Sequence, residues 1–154
     1  MGLLEILENA LINRPKKEQV NLKEIFCKRR DDNYIKRFNT SVVGARYRNV
    51  DGSQRQDAIA KLKPGERLRL IWDAGPNGRK NKINLLRGGR SQQLNISHCV
   101  GRLSDKVSAD VIRWLTQENI VTTARVVKVS GGTRKRPKLT CVVELTTYPG
   151  PKKK

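Results

Sequence analysis

Two stretches of alternating residues near the end of the chain, 122–129 and 139–147, constrain the fold more than any other feature. Their period of two and their many β-branched residues predict two long strands. Gly131 and Gly132, followed by the basic run 134–138, predict a tight turn between them. The sequence therefore predicts an antiparallel hairpin with a cationic tip.

Shorter elements surround this hairpin along the chain. Strand patterns occur at residues 42–48, 67–72, 82–86 and 94–103, and helical patterns occur at 53–62 and after Ser104. Short strands with two interspersed helices are typical of a mainly β (α+β) chain and disfavour a parallel α/β sheet. We expect a small barrel of about six strands, similar in kind to the OB and SH3 barrels.

The N-terminal part of the chain has a different pattern. Apolar residues recur at helical spacing over 3–11 and stop before Pro15, and a second short helical signal follows Asn21. We expect residues 1–38 to form a charged helical extension that packs on the body or holds a partner, a second copy included. Residues 39–148 form the predicted barrel, and 149–154 form a basic, disordered tail.

The net charge of +19 over 154 residues indicates a polyanionic partner. Residues 1–38 carry a net +3, residues 39–148 a net +13 and the tail the remaining +3. Most of the charge therefore lies on the predicted folded body, which favours a nucleic-acid-binding surface over a cationic tail on a neutral domain. No basic amphipathic helix indicates a membrane surface, and no apolar run approaches the ~20 residues needed to span a bilayer.

The segment 42–48 carries the first candidate binding residues. Read as a strand, it places Ala45 and Tyr47 on one face and Arg46 and Arg48 on the other. The arginines suit backbone phosphates and the tyrosine suits a stacked base. The alternative is that Tyr47 belongs to the core and the arginines form a solvated face.

Three short patches make residues 40–148 resemble the HIRAN domain, a small β-barrel of fork-remodelling proteins and free-standing bacterial and phage chains. Val42-Val43-Gly44-Ala45-Arg46-Tyr47 looks like the first strand of the family. Asp51-Gly52-Ser53-Gln54-Arg55-Gln56, leading to Pro64-Gly65-Glu66, is similar to a helix-and-turn insert of bacterial members. Val100-Gly101-Arg102-Leu103 is similar to the family's Gly-aromatic-Leu strand end.

The resemblance implies binding of single-stranded DNA at a free 3′ end. Arg46 and Tyr47 match the family positions that hold a phosphate and contact the terminal base. Family members carry a Pro-Asn-x-Pro-Tyr-Asp type of loop, whose Tyr stacks and whose Asp reaches the 3′ hydroxyl. Here Gly78 and Arg79 stand at those two positions. Arginine cannot accept a hydrogen bond from a hydroxyl, so we expect weakened or altered end recognition.

The candidate nucleic-acid-binding residues follow from these observations. Arg46, Arg48 and Arg69 are expected to engage phosphates, and Tyr47 to stack on a base. The other candidates close the pocket, line its rim or lie at the hairpin tip: Trp72, Asn77, Arg79, Lys80, Arg102, Arg134, Lys135 and Arg136. Trp72 has an alternative interpretation as a core residue, and the hairpin tip as a solvated turn.

The sequence does not predict catalysis, a metal or a cofactor. His98-Cys99 is the only pair of metal-ligand type, and a closed zinc site needs about four ligands. The acidic residues are scattered and often stand at turns or helix starts, where capping explains them. Cys27, Cys99 and Cys141 are widely spaced, as expected of reduced cysteines in a cytoplasmic protein.

Two hypotheses of function remain open at this point. The first is a non-enzymatic module that binds single-stranded DNA or DNA ends, with duplex DNA or RNA as the runner-up ligand. The second is an accessory protein-interaction subunit of a larger DNA-processing or CRISPR-type complex. In the second, residues 1–38 recruit the complex and the barrel supplies only a generic basic surface.

Overall fold

The computed structural model describes residues 22–25, 33–76, 80–89 and 93–151. Within them, seven strands and two helices follow one another along the chain. The strands are β1 (Leu22–Ile25), β2 (Lys36–Ser41), β3 (Arg67–Asp73), β4 (Lys82–Leu86), β5 (Cys99–Arg102), β6 (Ile120–Ser130) and β7 (Thr140–Pro149). The helices are α1 (Arg55–Ala60) and α2 (Asp105–Gln117).

The strands form one curled antiparallel sheet. Six of them run in the order β2-β7-β6-β3-β4-β5, and β1 pairs with β3 beside this path. The segment after β2 contacts β5, which is the last strand in this order, because Val43 forms an antiparallel bridge with Arg102 of β5. The predicted fold class, a mainly β, barrel-like sheet with two interspersed helices, is confirmed.

The core fills the inside of the curled sheet. Its fully buried side chains include Leu70 of β3, Ile83 and Leu85 of β4, and Leu145 of β7. Helix α2 covers part of the sheet because its apolar residues recur at helical spacing, so Val111 and Ile112 become buried. The hydroxyl of Ser104 accepts a hydrogen bond from the Val107 amide and caps this helix.

Helix α2 meets the edge strand β2 through aromatic residues. Phe38 and Trp114 pack edge to face, with ring centroids 6.2 Å apart. Neither helix among the described residues is long and apolar enough to cross a membrane.

The predicted hairpin is confirmed; β6 extends beyond its predicted range at both ends, and β7 begins one residue later than predicted and extends two residues further. Strands β6 and β7 pair from Ile120↔Pro149 to Ser130↔Thr140, with a register shift between Val126 and Lys128. The strands predicted at 67–72 and 82–86 and the helices predicted at 53–62 and after Ser104 are also present.

The predicted strand at 42–48 is wrong. The strand lies earlier, at Lys36–Ser41, and within 42–48 only isolated bridges occur, from Val43 to Arg102 and from Arg48 to Gln54. Gly44 then adopts a φ of +74°, and the Tyr47 amide donates to its carbonyl in a turn. Because a positive φ suits glycine, the chain leaves the sheet there and residues 45–47 enter a turn.

Two further local predictions are wrong. Residues 22–25 form a strand against β3 instead of a helix. The predicted strand at 94–103 shortens to Cys99–Arg102, because a single 3₁₀ turn at Ile96–His98 precedes it and the Asn95 side chain caps that turn. The boundary between residues 38 and 39 falls inside β2. The helix predicted at 3–11 and half of the predicted tail, residues 152–154, lie outside the described residues.

Candidate nucleic-acid interface

The turn at Gly44 begins a loop over residues 44–54, which carries the most exposed aromatic side chain of the described residues. Tyr47 is 68% exposed, and Arg46 and Arg48 on either side of it are also exposed. The loop is ordered by its own polar groups, because the Asn49 amide donates to the Ser53 carbonyl at 2.8 Å. The predicted trio therefore forms an exposed cation-aromatic-cation sequence on a structured loop, and not on a strand.

Helix α1 holds the 44–54 loop in place through its first residue. Arg55 donates from Nη1 to the Gly44 carbonyl at 2.9 Å and from Nε to Asn49 Oδ1 at 3.0 Å. These two bonds fix both sides of the loop with one charged side chain. Arg55 was not among the predicted site residues.

The next residue of α1, Gln56, ties the loop to the hairpin. Its Nε2 donates to the Ala45 carbonyl at 2.9 Å and to the Leu139 carbonyl at 3.0 Å. Its Oε1 accepts from the Leu139 amide at 2.7 Å. Since Leu139 precedes β7, this side chain sets the distance between Tyr47 and the base of the hairpin.

The tip of that hairpin is exposed throughout. Arg134, Lys135 and Arg136 all extend into solvent, and the Arg136 amide donates to Thr133 Oγ1 to close the turn. The three predicted tip residues therefore form a cationic projection beyond the Leu139 contact.

Gly44 also lies next to the end of β5. A Cβ atom built on Gly44 would lie 2.8 Å from Arg55 Nη1, 3.4 Å from Tyr47 Cδ2 and 3.9 Å from Arg102 Cγ. Tyr47, Arg55 and Arg102 therefore surround one point of the backbone. The structure brings together Arg46, Tyr47, Arg48 and Arg102 of the predicted set.

Arg102 is paired with a carboxylate at the start of α2. Its Nη1 lies 2.9 Å from Asp105 Oδ1, and Lys82 Nζ of β4 contacts the same oxygen. Hydrogen bonds from Lys82 and then from Arg102 lower the pKa of the Asp105 carboxyl from its ordinary value. Lys82 is a further cation of this surface that the sequence patterns did not indicate.

Lys80 lies two residues before β4, on the side where β3 ends. Its Nζ is 3.1 Å from Oδ2 of the buried Asp73, and its amide donates to the Ala74 carbonyl at 2.8 Å. The Gly75 amide donates to Asp73 Oδ1 at 3.0 Å. Asp73 therefore orders the start of the loop after β3, while Asn77 and Arg79 lie outside the described residues.

Two predicted residues have structural roles. Arg69 forms an ion pair at 2.6 Å with Glu24 of β1, and both side chains are nearly buried. Trp72 packs against the core, and its indole nitrogen is buried without a hydrogen-bond partner among the described residues. Arg69 and Trp72 are therefore not part of the candidate interface.

His98 is partly exposed, and the adjacent Cys99 is buried. The Cys99 thiol is fully buried and donates to the Gly101 carbonyl at 3.4 Å, and burial raises its pKa. Burial and then the nearby cations of Arg87, Lys61 and Arg69 lower the pKa of His98.

Comparison of the chain with protein-family models, with curated proteins and with solved structures gave no match. The resemblance to the HIRAN domain therefore stays a prediction from the three short patches of sequence.

Proposed function

We propose that this chain is a non-enzymatic nucleic-acid-binding module that binds single-stranded DNA. The binding surface consists of the 44–54 loop, Arg102 and Lys82 beside it, and the hairpin tip at residues 134–136. The observation that carries the proposal is the exposed Tyr47 ring between two exposed arginines, on a chain of net charge +19.

The chemistry of this surface favours a single strand. An exposed aromatic ring stacks on a base that is not already stacked within a duplex, and this contact is tolerant of sequence. Arg46, Arg48 and Arg102 provide guanidinium groups for the phosphates on either side of that base. Duplex DNA would meet the same cations but leave Tyr47 without a base, so it is the weaker ligand.

End recognition is the part of the HIRAN resemblance that this chain changes. Arginine stands at position 79, where family members place the aspartate for the 3′ hydroxyl. Arginine has only donors, and it favours a phosphate. We propose that binding extends along the strand and does not depend on a free 3′ hydroxyl.

The test is a titration of labelled oligothymidylates, as single strands, duplexes with oligoadenylate and 3′-overhangs, over a salt series. Free and blocked 3′ ends are compared at equal length. The expected result is tightest binding to the single strand, with little difference between the two ends. Arg46→Ala should weaken binding and make the salt dependence shallower by about 0.7 in the log–log slope.

Arg113→Ala is the matched control for that variant. Arg113 is an exposed arginine of α2 that pairs with Asp110 at 3.2 Å, so its loss makes the same change in net charge. Equal effects of the two variants, or equal affinity for single strands and duplexes, would reject the proposed surface.

The second candidate, a protein-interaction subunit, is favoured by one observation. Tyr34 and Ile35 are 47% and 54% exposed immediately before β2, and among the described strands β2 pairs only with β7. An exposed sheet edge next to apolar side chains can accept a strand from a partner. The test is to purify the wild type and the Ile35→Asp variant in parallel. If this candidate is correct, a bound partner protein should be retained by the wild type and lost from the variant.

A further inference from the structure

Two cations of the proposed surface converge on one carboxylate oxygen. Arg102 reaches Asp105 Oδ1 from β5, and Lys82 reaches it from β4. The two cationic side chains are 30% and 31% exposed, while the Asp105 side chain is 72% exposed. Both cations are therefore more buried than the carboxylate that they share.

Arg102 and Lys82 therefore form an anion-binding site that is already occupied by a carboxylate of the same chain, Asp105. Among the described residues, Asp105 is the only carboxylate in ion-pair distance of Arg102 or of Lys82. A phosphate oxygen is an acceptor of the same kind as a carboxylate oxygen, and an arginine beside a lysine suits either group. Because the pair is exposed, little holds Asp105 in place against another anion.

The position of Arg102 and Lys82 also fits the binding of the proposed DNA single strand. Arg102 Cγ and Tyr47 Cδ2 lie 3.9 and 3.4 Å from the same point above Gly44. A phosphate bound by Arg102 and Lys82 would therefore belong to a nucleotide at or next to the base on Tyr47.

We propose that Asp105 occupies the position of a nucleic-acid phosphate and is displaced when a single strand binds to Arg102 and Lys82. This inference rests on the proposed function and adds a competing group to the same site. In the unbound protein Asp105 neutralises part of the charge that the strand needs. Asp105 thereby lowers the affinity for any polyanion that fails to displace it.

The test compares Asp105→Asn with Asp110→Asn in binding of oligothymidylate over a salt series. Both variants remove one negative charge from α2. Asp110 pairs with Arg113 at 3.2 Å, while Asp105 pairs with Lys82 and Arg102, so Asp110→Asn serves as the control for net charge. We expect Asp105→Asn to bind at least about threefold more tightly than Asp110→Asn. Its salt dependence should be steeper by up to about 0.7 in the log–log slope.

A further variant ties the gain to the cations. Combined with Arg102→Gln, the substitution Asp105→Asn should lose part of its advantage, because only Lys82 of the two cations that it releases is still present. Asp105→Ser replaces Asp105→Asn if the latter fails to fold, since serine is also tolerated at a helix start.

The outcomes separate the inference from the proposed function. If the wild type does not bind oligothymidylate, the proposed function is wrong. If the wild type binds but Asp105→Asn binds no more tightly than Asp110→Asn, the role of Asp105 is wrong and the proposed function stands. If Asp105→Asn increases the affinity for oligothymidylate by the same factor when Arg102 is also replaced by Gln, the role of Asp105 is contradicted as well.

Discussion

Val43 and Arg102 exchange two backbone hydrogen bonds, at 2.8 and 2.9 Å, and this bridge joins the two ends of the strand order. Val43 follows β2, and Arg102 is the last residue of β5. The 44–54 loop begins one residue after this bridge, so the contact that closes the fold also places Tyr47 beside Arg102. Folding and the candidate interface therefore depend on the same pair of residues.

Gly101 permits this bridge, and its substitution should break it. Gly101 has a φ of +147°, and a Cβ atom there would lie 2.5 Å from Val42 Cγ1 and 2.7 Å from the Val43 carbonyl oxygen. Gly101→Ala should therefore reduce the free energy of unfolding by about 3 kcal/mol, from backbone strain and from the close contact. Urea denaturation measures the loss.

Gly65→Ala is the control for backbone conformation. Gly65 also has a positive φ, +86°, but a Cβ atom there would meet nothing within 4 Å. Its substitution should cost about 1 kcal/mol. Equal losses at the two glycines would show that the approach of Val43 to Gly101 contributes nothing.

Gln56 should couple the loop to the hairpin. Gln56→Ala leaves the Leu139 amide and two carbonyls without their partner, which should cost about 1–3 kcal/mol of stability. Affinity for the single strand should also fall, since Tyr47 and the hairpin tip no longer keep a fixed spacing. Gln117→Ala, at an exposed position of α2, serves as control. A Gln56→Ala protein with wild-type stability would contradict the coupling.

His98 should make stability depend on pH below neutrality. Burial, with Arg87, Lys61 and Arg69 nearby, lowers its pKa from the ordinary 6.5. Between the lowered pKa and 6.5 the unfolded chain binds more protons than the folded chain, so stability should fall as the pH drops through 6.5. Urea denaturation at pH 7.5 and 5.5 should show a smaller pH effect in His98→Gln than in the wild type.

The same prediction has a direct spectroscopic test. His98 is the only histidine of the chain, so its imidazole gives a single C2 proton resonance. That resonance should titrate with a midpoint below 6.5. A midpoint at or above 6.5 would rule out the proposed environment.

Cys141 and Cys99 should be protected thiols. Both are buried, and burial raises the pKa of Cys141 to about 11. Because the thiolate is the reactive form, iodoacetamide at pH 8 should label both cysteines slowly in the native protein and rapidly in urea. Peptide mapping by mass spectrometry measures each cysteine separately. Fast native labelling of Cys141 would mean that β7 is not packed as described.

Elements with a strong local signal were predictable from the sequence. The β6–β7 hairpin has long alternation and a glycine turn, and α2 has a serine cap and an apolar stripe. In each case the local preference and the tertiary contacts favour the same structure.

The region around residues 42–48 was not predictable in the same way. Val42 and Val43 have a strand pattern, but the decisive feature is the positive φ of Gly44, whose backbone lies close to the side chains of Arg55 and Arg102. The residues of the 44–54 loop could be chosen from their chemistry, because cations beside an aromatic residue are visible in the sequence. Sequence chemistry could not identify the other contributing residues, because their roles arise from contacts between segments distant in the chain. These residues are Arg55, Gln56 and Lys82.

The ion pair of Arg69 illustrates the same limit. Its alternation with Leu68 and Leu70 correctly predicts that it faces away from the core. The sequence gives no indication that Glu24, 45 residues earlier, lies on the neighbouring strand and covers it. A partner that distant follows only from the sheet topology.

The most direct test of the proposed interface is the effect of Tyr47→Ala on binding of oligothymidylate at one fixed salt concentration. Tyr34→Ala is the control, because Tyr34 is also exposed but its ring lies against Arg37, 3.9 Å from the guanidinium carbon. We predict that Tyr47→Ala loses about 1–3 kcal/mol of binding free energy, as expected for one stacked base, and that Tyr34→Ala loses much less. Wild-type affinity in Tyr47→Ala, or an equal loss in both variants, would contradict the account.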